Sequence, residues 1–230
     1  MSILLNILAI VPGLLICYYI YRRDKYEREA RLHLILSFLL GMVITLPVMS
    51  IQSWAHQQGF DDVQHLGLTL FFSFIVVAFS EELLKFLTLM VYPFNRPFFN
   101  EPIDGIVYAV MIGMGFATLE NILYANRYGF STTLLRAFTA VPAHAVFAII
   151  LGFYAGKAKF DPKNRVRLLI TGLLIAIGIH GLYDFFILQE VYEGLMILAV
   201  FTLGISIYFA QNLIKVHEDN SPFKDDGDEA

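Results

Sequence analysis

Glu81 and Glu82 are neighbours, and Lys85 follows one helical turn on, in the run Ser80-Glu81-Glu82-Leu83-Leu84-Lys85. Farther along stand Glu120 with Asn121, then His144, then His180 with Asp184 four residues later. Carboxylates and imidazoles are the side chains that move protons near neutral pH and that ligate divalent metals. Here they sit within apolar stretches. The stretch around the glutamate pair, residues 68–91, is long enough to cross a bilayer as a helix, which takes about 20 residues. On an insertion scale its three charges cost on the order of 8–10 kcal/mol, and its apolar side chains offset about 5–10 kcal/mol. Such a helix inserts when other helices supply partners for its charges. The default reading of charges at that depth is a functional site. The plainer reading is a structural ion pair, since Glu81 and Lys85 are four apart in the favourable order, but it leaves Glu82 without an evident partner.

Three kinds of chemistry suit such a set. A desolvated glutamate helped by histidine can activate water for hydrolysis. Glutamate and histidine from separate helices can build a metal site. The same groups can relay protons in a transporter. A single buried histidine is more often a hydrogen-bonded structural residue, so the weight falls on the coincidence of the histidines with the glutamate pair.

The elements that must position these residues are apolar helices. Hydrophobic residues make up 57% of the 230, and charged residues only 16% against about 25% in soluble domains, so the chain reads as an all-α, polytopic membrane protein. The lone cysteine, Cys17, excludes an internal disulfide and a cysteine-based zinc site. No folded basic face suggests nucleic acid as a partner. Seven spans are expected, over residues 3–21, 32–54, 68–91, 104–124, 134–156, 168–188 and 192–213. Asp104 is placed to cap the fourth, and Gly105, Gly113 and Gly115 allow close helix approach there.

Arg22, Arg23, Lys25, Arg28 and Arg31 follow the first span, and Lys157, Lys159, Lys163, Arg165 and Arg167 follow the fifth. The positive-inside rule puts both clusters in the cytoplasm only if the N-terminus is outside and the C-terminus inside. Arg127 and Arg136 then fall in or next to an outer loop. The expected organisation is a membrane domain over residues 1–214 and an acidic, disordered cytoplasmic tail over residues 215–230. In this topology Glu81, His144 and His180 lie about 13, 10 and 8 residues below the outer surface, a layer less than about 8 Å thick.

Five motifs carry a family resemblance: FSEELLK at residues 79–85, EPIDGIVYA at 101–109, GFATLENILY at 115–124, PAHAVFAIILGFYAGKAKF at 142–160 and HGLYDF at 180–185. In this order they resemble the PrsW family of bacterial intramembrane proteases, over nearly the whole chain. That family is similar to the wider group of CAAX prenyl endopeptidases and bacteriocin-immunity membrane proteases. The resemblance aligns the group's glutamate pair with Glu81 and Glu82, its middle histidine with His144 and its last motif with His180 and Asp184. Two positions depart from the group. It usually carries Arg five residues after the corresponding glutamate, where this chain has Lys85 four after Glu81, and it carries Asn where this chain has Asp184. An ionised Asp cannot donate a hydrogen bond to an oxyanion.

The resemblance implies a multi-pass protein of the bacterial cell membrane. It implies a hydrolase that makes the first, extracytoplasmic-side cut in a single-span anti-sigma factor during envelope stress. In the expected glutamic-type mechanism Glu81, assisted by His144, activates water, while His180 stabilises the oxyanion and Asp184 orients His180. Glu82 shares the base role or pairs with Lys85; Glu120 and Asn121 complete the pocket or bind the substrate backbone. No metal is expected, given that HExxH is absent. The metalloprotease variant places zinc on Glu81 (or Glu82), His144 and His180. The rival from another class is a proton-coupled transporter or a non-catalytic sensor; the absence of an internal repeat speaks against the transporter.

Overall fold

The computed structural model describes residues 3–224, and among them every regular element is helical. The elements are α1 (Ile3–Arg23), α2 (Arg31–Gln57), α3 (Leu66–Phe71), a π-helical segment (Phe72–Phe79), α4 (Ser80–Val91), α5 (Pro102–Phe138), α6 (Ala140–Phe160), α7 (Arg165–Leu188) and α8 (Met196–Asp219). A short 3₁₀ turn, Glu193–Leu195, leads into α8.

Five stretches are long and apolar enough to cross a membrane: Ile3–Arg23, Arg31–Gln57, Pro102–Phe160, Arg165–Leu188 and Glu193–Asp219. The expected third span does not qualify as one long α-helix, because the π segment divides it into α3 and α4. The expected fourth and fifth spans fall within the single stretch Pro102–Phe160, which α5 and α6 occupy with a kink at Gly129 and a break at Thr139.

The first leg of α5 and α6 form the centre, buried along most of their lengths. The outer helices show the reverse of a soluble pattern. Leu15 and Tyr18 of α1, Leu39, Val43 and Leu46 of α2, Val166 and Leu174 of α7, and Val200, Phe201 and Tyr208 of α8 are exposed. An apolar exterior around a core that holds the charges suits a lipid solvent. Two backbone contacts bring the central helices together. A methyl group on Gly105 of α5 would strike the Gly152 carbonyl of α6, and one on Gly115 would strike the Phe38 carbonyl of α2, so only glycine permits these approaches.

Two expectations about α5 change. Asp104 is not its N-cap: Glu101 is, Pro102 takes the first helical turn, and Asp104 closes a reciprocal capping box with Glu101. The region expected as a loop over residues 125–133 is helical, and the chain turns at Gly129 instead, with φ 79° and ψ −158°. That conformation is essentially confined to glycine. Beyond it, residues 130–138 run as a second helical leg.

The expected tail, from Lys215 onward, starts later than its composition implies. The helix passes through that position to Asp219, because His217 and Glu218 are buried and find partners: His217 Nε2 lies 2.8 Å from the Phe153 carbonyl, and Glu218 pairs with Arg23 at 2.6 Å. The rest of the expected tail, residues 225–230, lies outside the described residues.

Candidate active site

The glutamate pair sits where the π segment hands over to α4. A π turn shifts the helical register and is frequent at functional positions. Here the Ser80 hydroxyl donates to the carbonyls of Val76 (2.5 Å) and Val77 (3.2 Å) across the junction. After the shift, Glu81, Glu82 and Lys85 all point inward and are buried.

Lys85 lies at the middle of the cluster. Its Nζ donates to Glu81 Oε2 at 3.1 Å and Glu82 Oε1 at 2.9 Å, and it lies 3.1 Å from His144 Nδ1. The ring of Phe116 covers the ammonium at 4.2 Å. The expected Glu81–Lys85 pair is thus present, but Glu82 shares the same lysine.

From that hub two acid–histidine chains extend. His180 Nδ1 lies 2.9 Å from Glu82 Oε1 and its Nε2 lies 3.3 Å from Asp184 Oδ2, so both ring nitrogens are engaged by carboxylates. Phe147 stacks on the His180 ring at 4.5 Å. His144 Nε2 lies 3.1 Å from Glu120 Oε2, and Arg136 holds that same oxygen at 2.5 Å. Each imidazole is fixed by an acid, the arrangement that sets its orientation and charge. The two rings meet edge to face, 5.4 Å apart.

The structure therefore brings together Glu81, Glu82, Lys85, Glu120, His144, His180 and Asp184, drawn from four elements. Asn121 stands behind them: its side chain accepts from Arg136 Nε at 3.2 Å and donates to the Ala9 carbonyl at 3.4 Å. Two further residues join the site. Gln52 of α2 donates to Glu81 Oε1 at 3.0 Å. Arg136, which the sequence presents only as an outer charge beside a loop, folds inward on the second leg of α5 to neutralise Glu120. The only sequence signal for Gln52 is an amide near the end of an apolar run, and for Arg136 a cation following Gly129.

A cavity of about 600 Å³ adjoins the cluster. Its walls include Gln52, Ser53, His56, Thr69, Tyr124 and Arg127, a mixed polar and apolar lining. Gln52 belongs both to this wall and to the Glu81 carboxylate, so it joins the cavity to the glutamates.

Glu81, Glu82, His144 and His180 also fit a divalent metal. All four are buried, and each offers a ligand atom within 4.8 Å of the others. Glu82 Oε2 is buried without a hydrogen-bond partner. A set of two carboxylates and two imidazoles suits zinc. Lys85 Nζ occupies the position of a cation among three of the four, so a metal there would replace contacts that the ammonium makes.

Comparison with known proteins gives one family. The family model described as "PrsW family intramembrane metalloprotease" matches residues 29–210. The Protease PrsW of Bacillus subtilis is 40% identical over 179 residues, covering 77% of this chain and 79% of that protein. The Protease PrsW of Geobacillus kaustophilus is 36% identical over 196 residues (84% and 85%), and that of Oceanobacillus iheyensis 34% over 218 residues (94% and 98%). No solved structure matches the chain.

Proposed function

The chain belongs to the PrsW family of intramembrane metalloproteases, and on that footing we propose that it makes the first, extracytoplasmic-side cut in a single-span anti-sigma factor during envelope-stress signalling. It is a peptidase and a multi-pass protein of the bacterial membrane. The observation that carries the finer reading is the link through Gln52 between the buried Glu81 and a cavity large enough to take a length of peptide. In the proposed topology of seven spans, with the N-terminus outside and the C-terminus inside, that cavity falls in the outer half of the membrane. The basic clusters after α1 and α6 support this orientation.

In the proposed reaction Glu81 takes a proton from water at the Gln52 side. His144, held by Glu120, stands beside Glu81, its Nδ1 3.9 Å from Glu81 Oε2, and the proton that Glu81 takes from water passes to the leaving amine nitrogen as the C–N bond breaks. Positive charge for the tetrahedral oxyanion comes from Lys85 and from His180, the latter on releasing one of its two acidic partners. Asp184 orients His180, and Glu82 ties His180 to Lys85. Expected without metal from its sequence, the chain falls in a family described as metalloproteases, and its donors fit one. Glu81, Glu82, His144 and His180 would hold the ion, which supplies Lewis acidity and an acidified water when bound.

The reading is tested by co-expressing the protein with a tagged single-span anti-sigma factor and mapping the cut by mass spectrometry. A new terminus on the extracytoplasmic side of the substrate's span, formed only when the protein is present, is expected. A cut on the cytoplasmic side, or one independent of the protein, refutes it.

A further inference from the structure

The other end of α5 holds a second set of acids, which the proteolytic site does not use. Asp24 and Glu29 come from the segment between α1 and α2, Glu101 caps α5, and Asp104 lies in its first turn. Asp104 and Glu120 are sixteen residues apart on one helix, or about 24 Å, so the two clusters are separate. All four acids are buried, and Asp24, Glu101 and Asp104 each offer an oxygen within 4.8 Å of the others.

Local structure accounts for only half of these oxygens. Asp104 Oδ2 accepts the backbone N–H groups of Asn100 (2.7 Å) and Glu101 (2.9 Å). Asp24 Oδ2 accepts from the Glu29 N–H at 3.0 Å. Glu101 Oε2 accepts from the Ser221 hydroxyl, and Glu29 Oε2 from the Tyr108 hydroxyl. The other oxygen of each acid, Asp24 Oδ1, Glu29 Oε1, Glu101 Oε1 and Asp104 Oδ1, is buried and receives no N–H or hydroxyl donor; Glu29 and Asp104 are in side-chain contact with each other, which one shared proton satisfies. Asp24, Glu101 and Asp104 are 0% exposed, so solvent does not serve those atoms.

Among the described residues no cation pairs with any of the four. Three nearby cations have other contacts: Arg23 pairs with Glu218, Arg28 lies over the Tyr21 ring, and Lys159 donates to the Phe94 carbonyl. Burial pushes the Asp24 carboxyl up to about 6, against the pull of nearby Arg28, and that of Glu101 up to about 7. Capping explains the helix-terminal N–H groups, but it leaves one oxygen of each acid without an N–H or hydroxyl donor, and Asp24, Glu101 and Asp104 within ligating reach of one another.

We propose that Asp24, Glu101 and Asp104, with Glu29 beside them, bind a hard divalent cation of the calcium and magnesium class. The donors are all oxygen, with neither His nor Cys, which disfavours zinc and favours such ions. The ion staples three separate parts of the chain. It ties the α1–α2 connection to the start of α5, and through Glu101 and Ser221 it secures the segment after α8. Its role is structural, at the end of the bundle opposite the glutamate pair.

The test is thermal unfolding of the purified full-length protein in detergent, stripped with chelator and titrated with calcium or with magnesium. Terbium luminescence sensitised through Tyr108, whose hydroxyl contacts Glu29, reports occupancy directly. At a hundredfold excess over the dissociation constant the midpoint is expected to rise by about 5–10 °C. The rise persists in Glu81→Gln, which alters the other cluster, and disappears in Asp24→Asn and Glu101→Gln. No rise and no terbium signal in the wild type overturns the proposal, as does a rise lost in Glu81→Gln but kept in Asp24→Asn. If Asp24→Asn does not fold, Glu101→Gln takes its place, read against the wild type and Glu81→Gln.

Discussion

Lys85 satisfies Glu81, Glu82 and His144 at once, and is itself buried. Removing one partner of a buried ionic group strands the others and costs about 3–5 kcal/mol. Lys85→Met is therefore expected to lower the unfolding midpoint sharply and to abolish cleavage, readable by thermal melts and a peptidase assay on the same preparation. Asp184 behaves differently. Its carboxylate serves His180 Nε2 at 3.3 Å, and an amide oxygen can accept the same hydrogen bond. Asp184→Asn is expected to keep most of the cleavage rate, whereas Asp184→Ala loses about 10–100-fold, the usual cost of removing a histidine's orienting partner. Equal losses in the two variants would show that the charge of Asp184, not its hydrogen bond, is what His180 needs.

At the scale of elements, α5 relies on two glycine devices, and one of them shapes the site. Gly129 turns the chain so that Arg136 meets Glu120. A Cβ at Gly129 meets nothing within 4 Å, so Gly129→Ala tests backbone strain alone. It is expected to destabilise the protein by about 1–3 kcal/mol. Gly178, inside α7 and equally unobstructed, supplies the control, where alanine is neutral or stabilising by up to about 1 kcal/mol. Gly105→Ala drives a methyl group into the backbone of Gly152 and Gly156 and is expected to cost about 1–3 kcal/mol or more, seen as a lower melting midpoint. The same elements explain which parts of the site are legible in the sequence. Charges inside apolar runs are costly, so Glu81, Glu82, Lys85, His144, His180 and Asp184 stand out by residue type and position alone. Gln52 carries no charge and resembles any polar residue near a helix end. Arg136 has the look of an outer-loop marker, because the turn that brings it inward rests on one glycine's φ. The π segment has no apolar periodicity that separates it from an ordinary helix, and the last turn of α8 is held by distant partners, Phe153 and Arg23, which local composition does not reveal.

For the whole molecule, apolar side chains face outward on α1, α2, α7 and α8, while the acid–histidine network lies inside, separated from the cavity by Gln52. The donor set at Glu81, Glu82, His144 and His180 adds a condition that a chelator probes. If a metal is held there, dialysis against chelator removes cleavage and zinc restores it, and metal analysis finds no zinc in a Glu82→Gln, His180→Ala variant. The most direct measurement is cleavage in proteoliposomes holding the purified protein and a single-span anti-sigma-factor-like substrate, comparing wild type with Glu81→Gln. The wild type is expected to cut the substrate, and Glu81→Gln to be slower by at least about 100-fold. Equal rates from correctly inserted wild type and Glu81→Gln would contradict the placing of Glu81 at the centre of the chemistry.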